Sequence, residues 1–171
     1  IMYDHSDDTM RFNTDGTERF RVSASGIHLG GTGAANAFDD YEEGAWTPTT
    51  PNAGTMTNGE GRYIKVGHMV TIWCYVASIS NTTSSSGFQI GGLPFTSVGA
   101  SVMDSTVGPV MIRYIDDNAT EPLTISSYLT NAGNTLAFYV SRGNQDSYGA
   151  VLHSHFSSNN IGLRTQLSYE V

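Results

Sequence analysis

The sequence holds few charged residues, one lysine, one cysteine and eight leucines. Charged side chains make up 14% of its 171 residues, whereas an average globular domain has about 25%. Helix bundles and coiled coils are built mostly from Ala, Leu, Glu, Lys and Arg, so the composition excludes them. The longest apolar runs fall far short of the ~20 residues that cross a bilayer, and no amino-terminal segment has the pattern of a signal peptide. Insertion into a membrane is therefore not expected.

The single cysteine, Cys74, excludes an internal disulfide framework and a four-cysteine zinc site. It lies in the most apolar stretch, residues 69–79, so we expect a small buried side chain. The formal net charge is −8, and a protein that follows nucleic-acid phosphates needs a basic stripe. Binding to nucleic acid is therefore not expected. Because the chain begins at Ile1, inside an apparent strand, we expect it to be a piece of a longer protein.

Small and polar turn-forming residues are abundant instead. Gly, Ser, Thr and Asn supply 68 of the 171 residues, and together with frequent β-branched residues they are typical of all-β proteins with many turns. Residues 1–30 predict short strands closed by turns, with Asp15-Gly16 as a hairpin turn. Each strand has two or three apolar residues, too few to bury a core alone. We therefore expect copies of this segment, or neighbouring chains, to cover it.

Residues 31–44 have a different character and predict a joint. Ala34–Glu43 predicts a helical turn that ends at Gly44 as its carboxyl-side cap. The carboxylates of this stretch lack the alternating spacing of a calcium loop. They are interpreted as a solvated acidic turn.

Residues 45–171 predict a distal domain of roughly eight strands separated by turns rich in Gly, Asn and Ser. The strand over residues 68–80 is apolar on both faces, which favours cover by a second sheet on one side and by a neighbouring subunit on the other. The last strand alternates from Ile161 to Val171. The expected fold is all-β: short strands in residues 1–30 followed by a jelly-roll-like β-sandwich.

Catalytic motifs are not found in the sequence. It has no serine elbow, no phosphate loop and no His-Glu-x-x-His helix, so we expect the chain not to be an enzyme. The pair His153 and His155 is a weak metal-binding pattern. On a strand, residues two apart share a face, so three chains around a three-fold axis would offer six imidazoles to an octahedral transition-metal ion. The alternative is two partly exposed histidines on a strand edge.

Four blocks of sequence resemble the tail fibres of tailed bacteriophages. Residues 1–29, with the phrase MRFNTDGTERFRV from Met10 to Val22, look like the shaft motif of these fibres. The blocks DDYEEGAWTP (39–48), GRYIKVGHMV (61–70) and GGLPF (91–95) resemble the junction, a strand and a turn of their terminal β-domain. Residues 97–160 match no such motif.

The resemblance implies a homotrimeric virion fibre, on the tail or the head. Residues 1–30 would form its short interwound β shaft, and the distal domain, residues 45–171, would contact the bacterial host. The implied partners are surface polysaccharide or lipopolysaccharide and, through the upstream chain, other virion proteins. The resemblance also favours a transition-metal ion on the three-fold axis, held by His153 and His155. Two alternatives stay open: a purely structural virion part without a receptor, and a depolymerase of surface glycans.

Exposed tyrosines in loops are the candidates for receptor contact, because sugars stack on aromatic rings and hydrogen-bond to planar polar groups. Two loop clusters fit: Tyr114 with Asp116, Asp117 and Asn118, and Tyr148 with Asn144, Gln145 and Asp146. Each cluster can also be interpreted as a plain solvated turn. Trp46, Tyr63 and Trp73 are expected in the core or at an interface.

Overall fold

The computed structural model describes residues 1–31, 33, 36–38, 40–99, 105–116, 123–143 and 145–171. Nearly all regular structure in these residues is β-strand, and the predicted all-β class is confirmed. The strands are β1 Met2–Asp4, β2 Thr9–Thr14, β3 Thr17–Ser23, β4 Gly26–Leu29, β5 Ala37–Phe38, β6 Tyr41–Trp46, β7 Met56–Val66, β8 Met69–Ile79, β9 Gln89–Ile90, β10 Thr106–Met111, β11 Leu123–Leu129, β12 Leu136–Arg142, β13 Gly149–Ala150 and β14 Leu163–Glu170. A 3-10 turn lies at His153–His155. Within these ranges, no helix has the length and apolar character needed to cross a membrane.

The chain divides into two compact units. Unit 1 comprises Ile1–Glu42 and Lys65–Gly67, and unit 2 comprises Glu43–Ile64 and His68–Val171. The sequence did not indicate that residues 65–67, at the end of β7 and the following turn, belong with unit 1.

Unit 1 is a five-stranded antiparallel sheet in the order β1-β2-β3-β4-β5. The predicted hairpin turn is present: Asp15 and Gly16 have φ of 51° and 69°, the left-handed conformation of a tight hairpin. Every buried hydrophobic side chain in the described part of the chain belongs to unit 2. Unit 1 therefore has no apolar core of its own.

One face of the unit 1 sheet carries a row of apolar side chains across all five strands. The strand register places these residues side by side: Tyr3, Met10, Val22, Ile27 and Phe38. We call them the apolar row. Each is between 37% and 49% exposed. Such a row is the kind of surface that the predicted cover by other chains would bury.

The helical turn predicted over Ala34–Glu43 is wrong from Ala37 onward. The Asn36 N–H donates to the carbonyl of Gly33 at 2.9 Å, which closes a single turn, but Ala37–Phe38 is β5 and β6 begins at Tyr41. Gly44, predicted as a helix cap, lies inside β6. Pairing with neighbouring strands satisfies the backbone here and outweighs the weak helix preference of the acidic stretch. Residues 34, 35 and 39 lie outside the described residues.

Unit 2 is built on a nine-stranded sheet that curls around its core. The strand order is β13-β12-β11-β10-β14-β8-β7-β6, and β9 pairs with β12. β14 pairs with β8 along its length and alternates buried with exposed residues, as predicted. Ile72 of β8 and Phe138 of β12 belong to one core of twenty buried side chains. This arrangement is consistent with the predicted β-sandwich.

β8 is covered on one face in the single chain. Its inward residues, among them Val70 and Cys74, are at most 4% exposed. On the outward face, Met69 is 48% exposed and Trp73 is 39% exposed. The sequence predicted cover on both faces; the inner cover is present, and the outer face is open in a single chain.

The blocks that carry the tail-fibre resemblance include close packing contacts of unit 2. The indole of Trp46 lies directly over Gly61, and its N–H donates to the carbonyl of Arg62 at 3.3 Å. Tyr63 packs edge-on against Phe95, with 5.3 Å between ring centroids. Residues of these blocks therefore have packing roles in unit 2.

We predict that alkaline pH destabilises the fold through two buried groups. Burial raises the pKa of the Cys74 thiol from 9.0 to about 12 and that of Tyr169 from 10.0 to about 12. Both groups ionise at a lower pH in the unfolded chain than in the folded chain. The free energy of unfolding therefore has its full value below pH 9 and decreases as the pH rises toward 12, by up to about 1.4 kcal/mol per pH unit for each group. Urea unfolding midpoints measured from pH 8 to pH 11 check this. Cys74→Ala should abolish the loss between pH 9 and 10, and an unchanged loss would contradict the assignment.

Candidate functional site

Three tyrosines form a connected cluster on the outer face of the sheet. Tyr128 of β11 packs edge-on against Tyr139 of β12, with 5.7 Å between centroids, and Tyr139 packs against Tyr148 at 5.0 Å. We call Tyr128, Tyr139 and Tyr148 the tyrosine ladder. In β11 and β12 the alternation turns apolar side chains into the core and these tyrosines outward.

The tyrosine ladder lines a shallow cleft of about 230 Å³ with small hydroxyl side chains. Ser126 and Ser141 lie in the same cleft, and Val107 of β10 closes one side. Tyr148 is 67% exposed. Flat rings beside hydroxyl groups suit a sugar ring, since apolar C–H faces stack on aromatic rings and sugar hydroxyls exchange hydrogen bonds with Ser and Tyr.

The sequence singled out Tyr148 but missed Tyr128 and Tyr139. Of its predicted neighbours, Gln145 accepts a hydrogen bond from the Arg142 guanidinium at 3.4 Å, and Asp146 is exposed. Neither lines the cleft, and Asn144 lies outside the described residues. The alternation of apolar and polar residues indicates that Tyr128 and Tyr139 point away from the core. Their contact with each other depends on the register of the two strands, which the sequence alone did not supply.

The other predicted receptor cluster begins at Tyr114. This residue is 50% exposed and has a φ of 60°, a strained value for an aromatic residue. The Ser157 N–H donates to the Tyr114 carbonyl at 2.9 Å, and the Asp116 N–H donates to the carbonyl of His155 at 2.6 Å. Asp117 and Asn118 lie outside the described residues. The ladder cleft contains no residue of this cluster.

The strand placement predicted for His153 and His155 is wrong. Both lie in a 3-10 turn, closed by donation from the His155 N–H to Leu152 and from the Phe156 N–H to His153, so the two rings do not share a strand face. His153 is fully buried.

Both ring nitrogens of His153 and one of His155 have hydrogen-bond partners within the chain. In His153, Nδ1 lies 3.1 Å from the Asn81 carbonyl and Nε2 lies 3.4 Å from Asn52 Oδ1. His155 Nδ1 accepts a hydrogen bond from the Leu152 N–H at 3.2 Å. In the ranges that the structure describes, no three His, Cys, Asp or Glu side chains group as metal ligands. To bind the predicted metal ion, His153 would have to leave its burial site and give up both hydrogen-bond partners.

Comparison with known proteins gives one likeness in fold. No protein-family model matches the chain, and no curated protein matches it. The crystal structure of Dettilon tailspike protein (gp208) is similar, with a TM-score of 0.54 and 17% sequence identity over 76% of this chain. The likeness covers 24% of the tailspike chain, so this sequence corresponds to about a quarter of that protein. At such low identity the match shows the fold alone.

The likeness corrects the expectation that the chain is not an enzyme. That expectation rested on missing motifs of other enzyme classes, whereas the similar structure is that of a tailspike protein. Hydrolysis of a glycoside needs two placed carboxylates and no short sequence motif, so the missing motifs exclude nothing here. The chain thus has a fold similar to that of a bacteriophage tail protein.

Proposed function

We propose that the chain is the receptor-binding part of a bacteriophage fibre or spike, exposed on the virion, that attaches to polysaccharide or lipopolysaccharide of the host surface. The observation that carries this proposal is the tyrosine ladder, with three rings and two serines in one open cleft. The fold likeness to a tailspike protein and the blocks of tail-fibre sequence support it. A purely structural virion part would have no need of an open aromatic cleft.

The proposed assembly is a homotrimer joined through unit 1, with other virion proteins bound through the upstream chain. Its support is the apolar row, which spans five strands of a unit without a buried apolar core. Exposed apolar surface of this extent is unfavourable in a monomer. Three copies that share it would form the predicted shaft.

The loops beside the two exposed tyrosines are proposed as further receptor contacts. They comprise Asn144, Gln145 and Asp146 before Tyr148, and Asp116, Asp117 and Asn118 after Tyr114. Their amides and carboxylates are able to hydrogen-bond sugar hydroxyls next to a stacked ring.

We predict that Tyr148→Ala weakens attachment of the purified protein to host cells, whereas Tyr148→Phe does not. The alanine variant removes a stacking ring worth about 1 kcal/mol, or about fivefold per site, and three sites in one particle multiply the loss. Fluorescently labelled protein and cell sedimentation measure the effect. The phenylalanine variant keeps the ring and is the matched control, and equal attachment by wild type and Tyr148→Ala would contradict the proposed site.

Cleavage of the bound glycan is a second candidate function, favoured by the fold likeness to a tailspike protein. Incubation with purified capsule or lipopolysaccharide, followed by chromatography of released oligosaccharides, tests it. Release of fragments would establish a depolymerase. Intact polysaccharide after prolonged incubation, with binding retained, would leave attachment as the function.

A further inference from the structure

A second groove on the outer face of unit 2 gathers arginines. It lies over β7, β8, β14 and β10, has a volume of about 490 Å³, and is lined by Arg62, Arg164, Glu60 and the rings of Trp73 and Tyr75, among others. An adjoining depression of about 320 Å³ shares Tyr75 and Arg164 and adds a third arginine, Arg113. We call this combined surface the arginine groove.

Strand register builds the centre of the arginine groove. Arg164 of β14 lies opposite Tyr75 of β8 and Met111 of β10. Its guanidinium carbon is 4.4 Å from the centroid of the Tyr75 ring, a cation–π contact that holds the guanidinium against the sheet. Trp73, 39% exposed, is another ring in the same groove. The Arg164 guanidinium and the rings of Trp73 and Tyr75 therefore lie together on one surface of the sheet.

The charges of the arginine groove are opposite to those of the chain as a whole. The chain has a formal net charge of −8 and eight basic residues, yet three of its arginines line this surface with Glu60, and a second carboxylate, Glu43, lines an adjoining depression with Arg62 and Trp73. The salt bridges found among the described residues lie in unit 1 and do not involve Arg62, Arg113 or Arg164. Guanidinium groups beside aromatic rings are complementary to a planar anion carried on an apolar scaffold.

We propose that the arginine groove binds an acidic sugar, one that carries a carboxylate, in a bacterial surface polysaccharide. The carboxylate pairs with guanidinium groups, and the sugar ring stacks on Trp73 or Tyr75. The tyrosine ladder, which has hydroxyls and no cation among its lining residues, takes a neutral sugar. β10 contributes to both surfaces, with Val107 in the tyrosine cleft and Met111 in the arginine groove. The inference rests on the proposed attachment to host glycan and adds a chemical class of ligand to it.

The test uses the full chain and oligosaccharides of glucuronate, galacturonate and mannuronate, each compared with the same oligosaccharide after chemical reduction of its carboxylates. Calorimetric titration at low salt should show binding of at least one acidic oligosaccharide, at least tenfold weaker binding of its reduced form, and weakening by added sodium chloride. Arg164→Gln should weaken acidic binding at least tenfold and leave binding of the reduced form unchanged. Arg19→Gln, at an exposed arginine of unit 1 outside the groove, is the matched control and should bind like wild type.

Three results would overturn the proposal. They are no binding of any acidic oligosaccharide, equal binding of the acidic and reduced forms, and unchanged acidic binding by Arg164→Gln. A change of particle mass in Arg164→Gln would also overturn it, because the groove would then be an interface between copies of the chain. If cell attachment depends on Tyr148 but the oligosaccharide experiments give one of these contrary results, the acidic-sugar site is rejected and the proposed function stands.

Discussion

Ile27→Asp is expected to convert the assembled protein into monomers. Ile27 lies in the apolar row between Val22 and Phe38, on the face that the proposed trimer buries. An unpaired carboxylate in a buried interface costs several kcal/mol, and three-fold symmetry repeats that cost in every subunit. Light scattering should give three times 18.4 kDa for wild type and 18.4 kDa for the variant.

The matched control places the same charge at an exposed turn. Ala24→Asp changes a residue between β3 and β4 that is outside the apolar row, and it should leave the mass unchanged. A wild-type mass of 18.4 kDa, or an Ile27→Asp variant that still forms trimers, would contradict assembly through the apolar row of unit 1. Circular dichroism of the variant should retain the β signal, because the core lies in unit 2.

Gly61→Ala is expected to lower the stability of unit 2 by about 3 kcal/mol. A Cβ at this position would overlap the indole of Trp46, which is 8% exposed and fixed by its hydrogen bond to Arg62. Overpacking of a core usually costs 1–3 kcal/mol, and here the obstacle is a ring rather than the end of a flexible side chain. The melting temperature should fall by roughly 6–12 °C.

Gly143→Ala is the control for a glycine without a packing role. No heavy atom outside its chain neighbours lies within 4 Å of a Cβ at that position, so its melting temperature should stay within about 2 °C of wild type. A Gly61→Ala variant as stable as this control would show that Trp46 moves freely. The GRYIKVGHMV block would then need an explanation other than packing.

The sequence predicted features that depend on local chemistry. The Asp15-Gly16 turn needs positive φ at both positions, which Asp and Gly tolerate. The alternation of β14 and the burial of Cys74 follow from period-two patterning of one strand. The sequence indicated Tyr148 as a receptor contact because it is a large aromatic residue within a polar loop.

The features that it missed depend on contacts between distant segments. Tyr128 and Tyr139 become part of a site through the register of β11 and β12. His153 and His155 lie in a 3-10 turn. The Ser154 N–H of this turn donates a hydrogen bond to the carbonyl of the distant Ser84. Arg62 and Arg164 are more than a hundred residues apart and meet through the pairing of β7, β8 and β14. Long-range pairing of this kind leaves no short signature in one sequence.

The central claim is that this chain recognises a glycan of the bacterial surface through the tyrosine ladder. Its most direct test is equilibrium binding of the purified protein to polysaccharide extracted from host cells, for wild type and for a Tyr139→Ala/Tyr148→Ala double variant. The account predicts saturable binding by wild type and at least tenfold weaker binding by the double variant, with unchanged particle mass. Absence of wild-type binding, or equal binding by the two proteins, would contradict it.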